Sequence, residues 1–200
     1  MNPLQSYCLA ANPPIGLIIG LGVLLLVLLW FIGTYNGLVR TRNFCDESWS
    51  DVDTELKRRY DLIPNLVETV KGYAKHEESV FERVIQARAK AMENHGSPTE
   101  QAGDENKFVG AVRQLFGLVE NYPDLKASQN YLALQDELAT TEDRIQRARR
   151  FYNANVRDLA NRIETFPSNM VAGMYGFKRR EFFEIEDSSQ RGVPIVDLDS

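Results

Sequence analysis

The sequence predicts an all-α fold: one N-terminal transmembrane helix that continues into an antiparallel four-helix bundle and ends in a mobile acidic tail. Three observations carry this. Residues 15–33 hold no charged side chain, and glycine alone interrupts the apolar ones. From Cys45 onward, apolar residues recur at three- and four-residue spacing, the mark of a helix with one buried face. Leu138, Ile145, Tyr152, Leu159 and Phe166 recur every seven residues, the seam expected where helices pack nearly parallel to one another.

The first element is the apolar run. At ~1.5 Å per residue it spans roughly 28 Å, close to the ~30 Å hydrocarbon core of a bilayer. Its seven leucines favour insertion by about 2–4 kcal/mol. A soluble core helix of that length would show a polar face. A cleaved secretory signal would carry Lys or Arg ahead of the run and an A-x-A site after it. Neither is present: residues 1–14 lack both cations, and Thr34-Tyr35-Asn36 follows the run. The expectation is therefore a retained anchor over residues 15–35, with residues 1–14 on the non-cytoplasmic side. Arg40 and Arg42 are the first charges in the chain, and they place the large C-terminal part in the cytoplasm. Trp30, Phe31 and Tyr35 suit the inner interface. Gly16 and Gly20 form a G-x-x-x-G pattern, a candidate surface for helix packing within the membrane.

Residues 36–167 are expected to form the bundle. No Gly or Pro interrupts Leu38 to Ile63, so the membrane helix should run into the soluble part as one rod. Trp49, Val52 and Leu56 lie on its buried seam. Pro64 should end or kink this rod and open a second helix reaching about Asn94, with Gly72 as a weak point. His95 to Gly103 is rich in helix breakers and reads as a loop. A third helix covers roughly Asp104 to Asn121, closed by Pro123. The fourth and longest covers about Leu125 to Thr165. Its seam holds Leu138, Ile145, Tyr152 and Leu159, with Leu134, Thr141 and Ala148 at the second position. Short connections make successive helices antiparallel, which returns the end of the fourth to the bilayer.

Residues 168–185 read as a membrane-proximal amphipathic segment. Met170, Met174, Tyr175, Phe177, Phe182 and Phe183 stand beside Lys178, Arg179 and Arg180. Large apolar side chains next to a short basic cluster suit an anionic lipid surface. The alternative, favoured on balance, is a cap that folds back on the end of the bundle. Residues 186–200 are acidic and should fray, although Val193 to Asp199 could add as a strand to a partner's sheet.

The chain offers little for catalysis. A net charge of −5 over 200 residues argues against nucleic acid as a partner. Cys8 and Cys45 flank the span on opposite sides, beyond disulfide reach. His76-Glu77-Glu78 lacks the second histidine of a zinc helix, since position 80 is Val80, and His95 stands in the loop. No cofactor or metal is expected, and no phosphate-binding loop or nucleophile elbow occurs. The clusters Lys57-Arg58-Arg59-Tyr60-Asp61 and Arg147 to Asn153, with Glu142, Asp143 and Arg144 nearby, read as salt bridges fixing helix register. A polar site between helices is the alternative.

Several stretches resemble the LemA family. These are Y-N-G-L-V-R-T-R-N from Tyr35, D-E-S-W-S-D-V-D-T-E-L-K-R-R-Y-D-L-I-P-N-L-V-E-T-V-K-G-Y-A-K-H-E from Asp46, L-A-T-T-E-D-R-I-Q-R-A-R-R-F-Y-N-A-N-V from Leu138 and F-P-S-N-M-V-A-G-M-Y-G-F from Phe166. The likeness covers about Asn36 to Phe183. Cys45 departs from it, standing where an aliphatic residue is expected. The resemblance implies a bacterial inner-membrane protein with a helical bundle and no established enzymatic activity or catalytic residues. Its implied roles are scaffold or adaptor through self-association or another membrane protein, membrane shaping, and accessory factor of a membrane peptidase.

Overall fold

A computed structural model of the chain describes residues 15–185. The N-terminal stretch with Cys8 and the acidic tail with its Val193 to Asp199 segment lie outside the described residues. Among the described residues every regular element is helical: α1 (Ile15–Lys71), α2 (Glu78–Glu93), α3 (Pro98–Val119), α4 (Pro123–Lys126), α5 (Gln129–Glu164) and α6 (Ser168–Tyr175).

α1 is a single helix of 57 residues, about 85 Å long. Its first third is exposed on all sides, with only Phe31 partly covered, which is the opposite of a soluble core helix. From Leu38 it turns one face inward. Leu38, Cys45, Val52, Arg59 and Leu66 are buried at intervals of seven, and Leu56, Ile63 and Val70 form the second row. Thr41 and Ser48 lie in the same face. Their hydroxyls donate to the Gly37 and Phe44 carbonyls at 3.0 and 2.6 Å, so burial leaves them satisfied.

The rod does not stop at Pro64, as the sequence led us to expect; that proline lies inside α1. A proline costs the helix one hydrogen bond, here to the Tyr60 carbonyl. Arg88 of α2 supplies the replacement, its Nε donating to that oxygen at 2.6 Å. The break comes instead at residues 72–77. α2 is correspondingly shorter than expected and buries Phe81, Val84 and Ala91.

The loop before α3 is also shorter than expected. Ser97 caps the helix: its hydroxyl accepts from the Glu100 backbone N–H, and the Glu100 carboxylate accepts from the Ser97 N–H. With Pro98 at the first position, α3 starts six residues earlier than the breaker-rich sequence suggests. It buries Ala102, Glu105, Phe108, Leu115 and Val119.

α5 runs antiparallel to α1. Its seam residues Leu138, Thr141, Ile145, Tyr152, Val156 and Leu159 are all buried. The seam ends there, because Phe166 is 74% exposed. α1, α2, α3 and α5 form the bundle, with one continuous apolar core from Cys45 to Leu159. α6 then packs back onto α1, where Val171 and Ala172 cover Leu38. Gly176 closes α6 in the left-handed conformation, with φ of 68°, and Phe177 N–H reaches the Ala172 carbonyl at 3.0 Å.

Candidate functional site

Three features stand out: a buried ion cluster, a cleft beside it, and an apolar patch where α6 meets α1.

The ion cluster centres on Arg59, which is 4% exposed at the interval of seven that elsewhere holds Leu38, Cys45, Val52 and Leu66. Its guanidinium donates from Nη2 to Glu105 of α3 and from Nη1 to Glu142 of α5, the latter at 2.8 Å. Tyr60 Oη also donates to Glu105, which is 1% exposed. The Phe108 ring lies under the guanidinium, 5.3 Å from its carbon, and meets the Tyr60 ring edge-on at 5.6 Å. Burial pushes the Glu105 carboxyl above the usual carboxylate range, against the pull of Arg59. Burial and the neighbouring Glu105 charge push the Tyr60 hydroxyl up as well. The cluster therefore joins three helices at one level.

A cleft of about 470 Å³ opens beside it, between α3 and α5. Phe108, Val112, Phe116, Tyr131 and Leu138 give it apolar walls, and Arg59, Arg113, Glu120, Glu142 and Arg149 bring charge to it. Among the described residues no three His, Cys, Asp or Glu converge as metal ligands, and His76 does not line the cleft.

The segment after α6 divides in two. Residues 177–185 climb α5 as an extended strap. Tyr152 Oη donates to the Glu181 carbonyl at 2.9 Å, Asn153 exchanges two bonds with the Phe183 backbone at 2.9 and 3.0 Å, and Arg149 donates to the Ile185 carbonyl at 2.8 Å. Phe183 is fully buried and meets Trp49 edge-on at 5.2 Å. It thus belongs to the core, not to a membrane-facing surface. The Ser97 and Thr99 hydroxyls hold the Glu181 carboxyl below its usual range, which ties the strap to the start of α3.

The basic cluster is largely neutralised within the protein. Arg180 pairs with Asp46, and Arg179 with Glu164 at 2.6 Å. Arg42 sits over the Phe177 ring at 5.5 Å. The residues that do face outward are Met170, Met174, Tyr175 and, in part, Phe182, with Lys178 also exposed. Tyr175 packs against Phe31 and Tyr35 at ring distances of 6.0 and 4.6 Å, at the end of the apolar run.

Of the other sequence-predicted residues, Val52, Leu56, Leu138, Ile145, Tyr152 and Leu159 are in the core, and Trp49 closes its lower end against Tyr152 at 5.1 Å. Burial raises the Tyr152 hydroxyl to about 12 and also raises the Cys45 thiol. Gly16 and Gly20 lie one turn apart on the exposed part of α1, with no side chain within 4 Å of a Cβ added at either. Sequence reasoning missed Glu105. It precedes Val112 by seven residues and Val119 by fourteen, so its seam position was readable once α3 is extended back to Pro98.

The LemA family profile matches residues 48–198. The chain is 30% identical over 173 residues to Protein LemA of Metamycoplasma hominis, an alignment covering 85% of this chain and 75% of that protein. It is 28% identical to Magnetosome protein MamQ of Magnetospirillum gryphiswaldense, covering 96% and 82%. Against Magnetosome protein MamQ 2 of Paramagnetospirillum magneticum the figures are 28% identity, 81% and 68%.

Proposed function

The chain belongs to the LemA family, and from that premise we propose that it is a non-enzymatic, single-pass membrane scaffold that acts by associating with itself or with another membrane protein. The observation that carries this is the unbroken α1. One helix serves both the apolar run and the bundle core, with Pro64 bridged by Arg88. A rod without a joint passes orientation and spacing from the bilayer to the bundle, which a flexible linker cannot do. Gly16 and Gly20 supply the small-residue face for association within the membrane. Arg40 and Arg42, the first charges in the chain, support a cytoplasmic bundle at the inner membrane of a bacterial cell.

Mass measurement in mild detergent tests the membrane face. The expected result is an oligomer that Gly16→Leu/Gly20→Leu reduces; an unchanged mass removes this face from the reading. Crosslinking in native membranes, with identification of the captured proteins, tests the wider role. A protein that is monomeric in detergent and crosslinks to nothing in membranes is not a scaffold.

A second reading, membrane shaping, draws on α6. Phe166, Met170 and Met174 are 74%, 61% and 72% exposed, and α6 is docked at Phe31, Tyr35 and Leu38, where the apolar run ends. That placement would let α6 grip the same leaflet from which α1 emerges. The apolar side chains carry it, since Arg179 and Arg180 are paired with carboxylates. Deleting 168–185 would also remove Phe183 from the core. The discriminating variant is therefore Phe166→Ser/Met170→Ser/Met174→Ser in the full chain, reconstituted in anionic vesicles. Deformation by the wild type that the variant loses supports the grip, and equal deformation by both sinks it.

A further inference from the structure

We propose that one flank of the α1–α5 pair docks on the opposite flank of a second copy of this chain, which rests on the self-association already put forward and gives it a surface. Asn153 and Asn155, two residues apart and so on opposite sides of α5, mark the two flanks. Asn153 holds the strap, and on that side Arg150 and Arg157 line a cleft against α3. Asn155 Nδ2 donates instead to Ser48 Oγ of α1 at 3.1 Å, on the side away from the strap. There Phe44 of α1 and Phe151 of α5, one turn before Asn155, are 42% and 59% exposed. Glu47 and Asp51 follow Phe44 by three and seven residues, so they share its face, and both are exposed.

The two flanks carry opposite charge. Among the described residues, Glu47 and Asp51 have no cation within ion-pair distance, and Arg150 and Arg157 have no carboxylate. Glu181 and Glu184 share the arginine flank, but Ser97 and Thr99 hold the Glu181 carboxyl. On the acidic flank, Arg40 lies over the Phe44 ring two turns before Glu47, and Arg58 stands two turns beyond Asp51. Heights match as well. Trp49 meets Tyr152 and Ser48 meets Asn155 across the antiparallel pair. Asp51 therefore stands level with Arg150, and Glu47 within about 1.5 Å of the level of Arg157. Copies anchored in one bilayer stand at one depth, because each apolar run must match the same ~30 Å slab. Side by side, the carboxylates of one copy face the guanidiniums of the next at equal height, as charge-assisted Arg–carboxylate bonds require. Phe182, partly exposed between Glu181 and Phe183, lies at the level of Phe151 and gives the contact an apolar centre. Since the flanks are on opposite sides of one molecule, the contact is head-to-tail and repeats into a row or a ring.

The test uses the full chain in reconstituted bilayers, with a donor or an acceptor fluorophore at the C-terminus and association read as energy transfer above random proximity. Glu47→Arg/Asp51→Arg and Arg150→Glu/Arg157→Glu change exposed side chains only, so both should keep the wild-type helicity. Each variant alone should associate about tenfold more weakly than the wild type, or worse, because like charges then face each other. Donor on one variant and acceptor on the other should restore the transfer, since every flank again meets its opposite. A mixture that stays apart overturns the proposal. So does a loss on reversing one flank but not the other, which would mean that like flank meets like. Transfer unchanged by either reversal overturns it but leaves the scaffold reading standing, with association carried by the membrane helix. Wild-type transfer no higher than random overturns it and removes self-association from that reading as well.

Discussion

Arg88 Nε donates to the Tyr60 carbonyl at 2.6 Å, the one carbonyl that Pro64 strips of its helical partner. A buried acceptor left unmet costs about 1–3 kcal/mol, so this contact decides whether α1 continues past Pro64. Arg88→Ala should lower bundle stability by about that amount in denaturant titration. In a Pro64→Ala background, residue 64 regains an N–H for Tyr60, and the loss should shrink by roughly 1 kcal/mol. Additive losses would mean that Arg88 acts through something else.

The Arg59 cluster makes a stronger version of the same prediction. Arg59→Met leaves the buried Glu105 carboxyl without its cation and should cost about 3–5 kcal/mol. Arg59→Met/Glu105→Leu removes the problem from both sides and should recover most of the loss. If the double variant is as unstable as the single one, shape rather than charge dominates the site.

Glu105 also predicts a pH dependence with a definite sign. Burial raises its folded value above the ordinary carboxylate one. Between those two values the folded state binds more protons than the unfolded state, so stability falls as pH rises through that window. The wild-type stability minus that of Glu105→Gln should therefore decline with rising pH. The slope is at most about 1.4 kcal/mol per pH unit, and the curve flattens above the raised value. A difference that grows with pH would mean that Arg59 holds Glu105 ionised throughout.

Much of this was visible in the residues alone, and the exceptions share a cause. The apolar run, the rod beyond it and the seam at Leu138, Ile145, Tyr152 and Leu159 come from local periodicity. Pro64 and Glu105 do not, because each is resolved by a partner far away in sequence: Arg88 for the first, Arg59 for the second. The strap was half legible. Its aromatic residues announced burial against something, but whether Phe183 meets lipid or Trp49 depends on the path after Gly176, which periodicity does not encode.

The start of α3 was misjudged for a different reason, since the breakers around Gly96 hid a capping box in Ser97-Pro98-Thr99-Glu100. Ser97→Ala should cost about 1 kcal/mol, the usual value of an N-cap hydroxyl. It should also loosen the strap, because Ser97 and Thr99 hold the Glu181 carboxyl. Hydrogen exchange at Phe183 would show this as faster opening; unchanged exchange would separate cap from strap.

Phe183 gives the last test, because the strap brings it into the core from outside the four bundle helices. Its side chain is fully buried, beside a cleft lined by α3 and α5, and meets Trp49 of α1 edge-on at 5.2 Å. Removing a fully buried Phe side chain costs about 3–5 kcal/mol where the site cannot collapse. The strap has its own backbone bonds to Asn153 and Arg149, so Phe183→Ala should detach it before the helices separate. In a Trp30→Phe background, Trp49 is the single indole and reads this locally. Its emission should shift to the red at denaturant concentrations that leave far-ultraviolet helicity intact. If the two signals change together, the strap and the helices form one cooperative unit, and the bundle is incomplete without residues 177–185.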